Sequence, residues 1–175
     1  MATITLNRSG SADRLRSLFS FPNPVNEMAA RLVAGGVLLV TLATVAFDQP
    51  WLTVPLAYGF VARVLTGPTL SPWGQLVTRV IAPRLGVEPR LVAGPPKRFA
   101  QGMGVAFSVT AAVLSLGFGL RGAAYIVLGL LAVAATLESV FGYCLGCRVF
   151  AVLMRFGVVP EEVCERCNNI WSDAA

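Results

Sequence analysis

Histidine is absent from this 175-residue chain, lysine occurs once, at Lys97, and only 13% of the residues are charged. Without histidine there can be no Ser-His-Asp triad, no His-ligated haem and no mixed Cys/His zinc site. An ordinary soluble domain is about one quarter charged. The charges here are too few to cover a soluble globule, and a hydrophobic content of 55% excludes a disordered chain. Cysteine is missing until residue 144, and the four that occur all lie in the last third. There is also no Walker loop, no G-x-G-x-x-G turn at a strand–helix junction and no acidic metal cluster.

What is present is long apolar runs. The mean hydropathy is +0.70, which points to an all-α integral membrane protein. The net charge of +5 comes from arginines spread along the chain rather than gathered in a patch, so no nucleic-acid surface is expected. The lipid bilayer is the expected partner.

Residues 1–29 are mixed and polar. Leu18-Phe19-Ser20-Phe21 runs into Pro22 and Pro24, which reads as an interfacial arm ended by prolines rather than a signal peptide. Leu32 to Phe47 is a run of 16 uncharged residues, about 24 Å of helix, and Arg31 can snorkel so that the span extends back to about residue 30. Asp48-Gln49-Pro50 makes a turn into a second span over 51–66. Phe99 to Leu120 is the cleanest run, with 22 uncharged residues, and 122–143 forms a fourth span interrupted by Glu138. The transmembrane domain is therefore expected over 30–143. Two rows of small residues, Ala111/Ser115/Gly119 and Gly104/Ser108/Ala112, allow close helix packing. Between spans two and three, prolines break the chain over 67–98. There Trp73, Leu76, Val77, Val80 and Ile81 share one face, as in a helix lying in the interface or packed on the bundle.

Four spans with short loops place both termini on one side. Twelve basic residues fall on the side of the termini and one, Arg121, on the other, with Arg63 set aside inside a span. The positive-inside rule then puts both termini in the cytoplasm of a plasma-membrane protein. Trp51 and Tyr125 are expected at the outer interface, and Trp73 and Tyr143 at the inner one.

The strongest chemical signal is Cys144-Leu-Gly-Cys147 followed by Cys164-Glu-Arg-Cys167 in a cytoplasmic segment over 144–175. Four thiolates in two C-x-x-C pairs fit one tetrahedral structural zinc. They equally fit two dithiol/disulfide pairs in redox or sulfur-relay chemistry. The redox reading wants a thiol at a helix N-terminus. Cys164 satisfies this if Pro160-Glu161-Glu162 starts a helix, although the acids oppose a thiolate. The first pair satisfies it only if Gly142 and Gly146 break span four and a new helix opens near Cys147 and Arg148. Arg63 and Glu138 lie at similar depth in neighbouring spans, so a buried Arg63–Glu138 pair is expected, acting either as a register-setting bridge or as an anion or proton site beneath the cysteines. Lys97 and Arg98, in the run Pro95 to Gln101, read either as attracting an anion or, as is more often the case, as anchoring a helix end to anionic headgroups, which is the expectation here.

Asn23-Pro24-Val25-Asn26, Pro95 to Gln101, and Gly142-Tyr143-Cys144-Leu145-Gly146-Cys147 resemble the bacterial membrane family catalogued as domain of unknown function 4395, over about residues 20 to 170. The resemblance implies the membrane architecture and marks Cys144 and Cys147 as signature positions; it assigns no reaction. More distantly, four spans with thiols are similar to the DoxX and MauE-like proteins, associated with thiol or sulfur redox, by fold analogy alone. Vitamin K epoxide reductase-like proteins also join four spans to a C-x-x-C, but their chemistry faces the outer side. The expectation is a four-span bundle whose Cys144, Cys147, Cys164 and Cys167 handle electrons or sulfane sulfur for a thioredoxin-like or rhodanese-like partner, tuned by Glu138 and Arg63. The alternatives are a non-enzymatic protein with a four-cysteine zinc site, or a small transporter or accessory subunit.

Overall fold

The computed structural model describes residues 21, 23–86 and 90–159. Residues 1–20 and 22 of the arm expected over 1–29, and Cys164 and Cys167 with the helix start at Pro160, lie outside the described residues.

The order is β1 (Val25–Asn26), α1 (Glu27–Ala46), a 3-10 turn (Pro50–Leu52), α2 (Thr53–Thr66), α3 (Pro72–Leu76) running through a π turn (Val77–Ile81) into α4 (Ala82–Arg84), β2 (Leu91–Val92), α5 (Gly94–Ala112) ending in a π turn (Val113–Gly117), α6 (Arg121–Phe141) and α7 (Leu145–Arg155). Glu27–Ala46, Gly94–Gly117 and Arg121–Phe141 are each long and apolar enough to cross a membrane. The second expected span is shorter: α2 has 14 residues, about 21 Å of helix.

Helix starts fall earlier than hydropathy suggests. Asn26 caps α1 by accepting the Met28 and Ala29 N–H groups at 2.9 and 3.5 Å, so charged Glu27 sits in the first turn, where the macrodipole favours it. Pro95 and Pro96, expected to break the chain, instead occupy the first turn of α5, where no intrahelical N–H is needed. β1 and β2 pair antiparallel, Val25 with Val92 and Asn26 with Leu91. The Asn23 side chain accepts the Gly94 N–H at 3.1 Å. The two polar entries are thus one ribbon, which fixes the starts of α1 and α5 side by side.

α1 packs along α6, α2 along α5, and α5 along α6. The interface of α5 is one inward stripe, Lys97, Gln101, Gly104, Ser108, Ala111 and Ser115, in which all but Gln101 are buried. It draws from both expected rows of small residues, because 3.6 residues per turn alternates steps of four and three. Gly119 is exposed in the following turn at φ 68°. The buried hydroxyls of Ser108 and Ser115 donate to carbonyls one turn back, at 2.7 Å each, so both are satisfied within their own helix. Large apolar side chains point outward instead: Leu39, Phe47, Ile126 and Phe141 are among the most exposed, an arrangement suited to hydrocarbon rather than water.

The helical segment over 72–84 packs on the start of α1, with Val77 buried against Ala29 and Val33. The Trp73 indole lies over Gly36, near the middle of α1, so closely that a Cβ there would overlap it. At the opposite end of the bundle, Asp48 takes a left-handed φ of 50°, pairs with Arg121 at 2.5 Å and accepts the Tyr125 hydroxyl. These charges thus tie the connection between α1 and α2 to the start of α6.

Candidate functional site

Two features lie at the end of the bundle where α1 and α5 begin and α2 and α6 stop. The first is the cysteine pair. Gly142 adopts φ 67°, ψ 14° after α6, a left-handed cap that glycine takes without strain. Cys144 then becomes the N-cap of α7, its sulfur accepting the Cys147 N–H at 3.3 Å. The helix break that the redox reading required is present, produced by Gly142 alone. Gly146 lies inside α7, against Ala100 of α5. Cys144 and Cys147 are joined as a disulfide with Cα atoms 5.2 Å apart. Cys144 is buried and Cys147 half-buried. The first turn of α7 holds no acidic residue, and the Arg148 guanidinium stacks 5.1 Å over the Tyr143 ring. The pair is not on a free tail: Phe150 packs on Phe99 at 5.6 Å between ring centroids, and this with the Gly146–Ala100 contact seats α7 on α5.

The second feature is a buried polar cluster. Glu138 pairs with Lys97 at 2.7 Å, the side chains 15% and 8% exposed, and not with Arg63 as expected. Arg63 is equally buried. It donates from Nε to Gln101 Oε1 at 2.9 Å and from Nη1 to Ser71 Oγ at 3.4 Å, with the Phe60 ring 4.6 Å from its Cζ. The expectation failed because Lys97 was read as a headgroup anchor. Its spacing of four and seven residues from Gln101 and Gly104 puts it on the inward stripe of α5. Glu138 continues the Ala124, Leu128, Leu131, Ala135 stripe of α6 in the same way. Arg98 and Arg31 are not free anchors either. Arg98 Nε donates to Val64 O at 3.0 Å, and Arg31 to Ser139 O and Val140 O at 3.2 and 2.7 Å, so both cap the carbonyl ends of neighbouring helices.

A cavity of about 440 Å³ among apolar side chains touches the cluster at Arg63 and Ser71, and two others flank it. One, of about 280 Å³, lies under α7, lined by Glu138, Gln101, Leu145 and Gly146 among apolar side chains. The other, of about 190 Å³, lies toward β1 and α3, lined by Arg63, Lys97, Gln101, Asn26 and Thr78. No group of three or more metal-ligating side chains occurs among the described residues. The zinc reading needs Cys164 and Cys167, which lie outside them.

No curated protein and no solved structure matches the chain. A family model does, over residues 25–155, from the first residue of β1 to the last of α7 and so through both features. On that match the chain belongs to the family described as Domain of unknown function (DUF4395).

Proposed function

We propose that this chain is a plasma-membrane protein that crosses the bilayer four times, the short α2 with its 3-10 turn serving as the fourth span, and that it carries out thiol–disulfide exchange at the cytoplasmic face. The distribution of charge supports this orientation. Among the described residues, Arg31, Arg79, Arg84, Arg90, Lys97, Arg98, Arg148 and Arg155 belong to the cysteine end of the bundle and only Arg121 to the other, as the positive-inside rule requires of a cytoplasmic end.

The observation that carries the chemistry is the place of Cys144 as N-cap of α7, its sulfur on the Cys147 amide. A partner thiolate attacks the more accessible sulfur, Cys147, and forms a mixed disulfide. Cys144 leaves as a thiolate facing the amide dipoles of α7, which favour negative charge and therefore departure. A second partner thiol then displaces Cys147, giving an oxidised partner and a reduced Cys144–Cys147 pair; two electrons pass. At a reducing cytoplasmic face a disulfide is as a rule transient and catalytic or redox-sensing rather than structural. The Cys164–Cys167 pair is the natural next acceptor of exchange with Cys147, and a thioredoxin-like or rhodanese-like protein the partner.

Trapping tests this. Cys144→Ser should accumulate a mixed disulfide through Cys147, whose thiolate attacks the disulfide of an oxidised thioredoxin-like protein and displaces one partner thiolate, and Cys147→Ser should form none at Cys144. A folded Cys147→Ser variant that exchanges as fast as the native chain sinks the proposal. About one zinc per chain, in protein purified without added metal, replaces it with the four-cysteine zinc site. Impermeant maleimide added to intact cells should leave Cys164 unlabelled; strong labelling from outside reverses the orientation.

A further inference from the structure

A charge buried away from water is normally matched by a countercharge. The cluster at the cysteine end holds two cations, Arg63 and Lys97, each at least nine-tenths buried. It holds one carboxylate, Glu138, which is bound to Lys97 at 2.7 Å and lines the cavity under α7 rather than the one toward β1. Arg63 has no carboxylate within 4 Å among the described residues; its partners are the neutral oxygens of Gln101 and Ser71. Its Nη2 group makes no hydrogen bond among the described residues. Arg63 lines two cavities: one of about 440 Å³, walled mainly by apolar side chains, and the one of about 190 Å³, whose described polar lining is Arg63, Lys97, Gln101, Asn26 and Thr78, with no acid. Two glycines, Gly67 and Gly74, also line it, and Gly74 is held by Ser71 and Pro68 so tightly that a Cβ would lie 3.2 Å from each. The pocket is walled by helix ends and the β1 ribbon rather than by loose side chains.

We infer that this cavity is an oxyanion site, in which a phosphate-type group supplies the missing negative charge, held by Arg63 with Lys97 behind it and with the side-chain NH2 groups of Gln101 and Asn26 as donors, the oxygens of those amides being taken by Arg63 and by the Met28 and Ala29 N–H groups. A planar guanidinium with free N–H groups is suited to two oxygens of one oxyanion. The group arrives either as a free ion from the cytoplasm or as the headgroup of an anionic lipid. The site is independent of the thiol chemistry, since none of the residues lining it is a cysteine.

The experiment uses the full chain purified in a neutral maltoside detergent. Thermal unfolding is followed with inorganic phosphate or chloride at matched ionic strength, and separately after reconstitution with phosphatidylglycerol or phosphatidylcholine. Saturable stabilisation by phosphate identifies a free ion. Stabilisation and lipid retention in native mass spectrometry with phosphatidylglycerol alone identify a headgroup. Either supports the site. Arg63→Gln should weaken binding at least tenfold. Without ligand it should unfold no earlier than the native chain, because it removes an uncompensated buried charge. Asn26→Asp, which keeps the acceptor that caps α1 and leaves the cation in place but removes the amide donor, should weaken binding severalfold, so the result does not hang on one variant's folding. A Cys144→Ser/Cys147→Ser variant should bind as the native chain does, separating this site from the exchange reaction. Equal response to both ions together with equal retention of both lipids overturns the inference, as does undiminished binding by folded Arg63→Gln.

Discussion

The Lys97–Glu138 pair allows a prediction whose order of effects differs from that of an ordinary surface bridge. At 2.7 Å and an effective dielectric of about 20, the gross attraction is about 6 kcal/mol. Removing two ions from water offsets much of this, so the pair as a whole contributes little net stability. Single substitutions behave differently. Glu138→Gln leaves Lys97 and Arg63 as two buried cations with no acid between them, and should cost about 3–5 kcal/mol. Lys97→Met leaves the carboxylate of Glu138 to interact with Arg63, which it already influences electrostatically, so its cost should be under half as large. Lys97→Met/Glu138→Gln restores the original net charge of +1 in the cluster and should fall within about 1 kcal/mol of the native chain. Reversible unfolding in mixed micelles, titrated with denaturing detergent and followed by circular dichroism, measures all four proteins in one cycle. Additive single effects, or a Glu138→Gln variant as stable as the native chain, would refute the reasoning, because either would mean that the two charges are separately solvated.

Three other substitutions test the packing that positions the site. Gly104→Ala places a methyl into the Phe60 ring, which also supports Arg63; the same unfolding assay should show a loss of about 1–3 kcal/mol. Gly146→Val places its Cβ 2.5 Å from the Ala100 Cβ and 2.6 Å from its Cα, so α7 must lift from α5, and under reducing conditions Cys147 should react with maleimide faster than in the native chain. Asn26→Ala removes the acceptor for the Met28 and Ala29 amides and should cost about 1 kcal/mol, with hydrogen exchange rising in the first turn of α1 and not at its far end.

Hydropathy made three of the helices legible, and their spans were misplaced by only a few residues, because a run of uncharged residues marks where hydrocarbon begins and not where a helix does. The errors share that cause. Glu27, Lys97 and both prolines of Pro95-Pro96 lie beyond the apolar runs yet within helices, held there by an N-cap, a buried ion pair and the tolerance of a first turn for proline. The partner of Glu138 was within reach of the sequence. Lys97, Gln101, Gly104, Ser108, Ala111 and Ser115 step by four and three, and following that stripe one turn past the apolar run puts the lysine on the inward face. The small-residue rows were misread for the same reason, since strict steps of four drift off a helix face. The ribbon of Val25–Asn26 with Leu91–Val92 and the π turns left no comparable signal. A two-residue strand has no periodicity, and a π turn is a local adjustment in an otherwise uniform run.

The end of α6 shows why the cysteines and the charged cluster occupy one place. A helix that stops leaves its last carbonyls without partners, and in an apolar setting those oxygens need a donor. Gly142 stops α6 early enough to let Cys144 begin a new helix. The carbonyls of Ser139 and Val140 released by that stop are taken by Arg31 of α1. α2 ends under the same constraint, and Arg98 of α5 takes its Val64 carbonyl. The cations that hydropathy assigns to headgroups are thus needed at helix ends, and the helix ends are needed to turn a sulfur toward a run of free amides. The arginines, the glycine and the C-x-x-C pair answer one requirement: a helix must be broken at the edge of an apolar bundle without leaving its backbone unsatisfied.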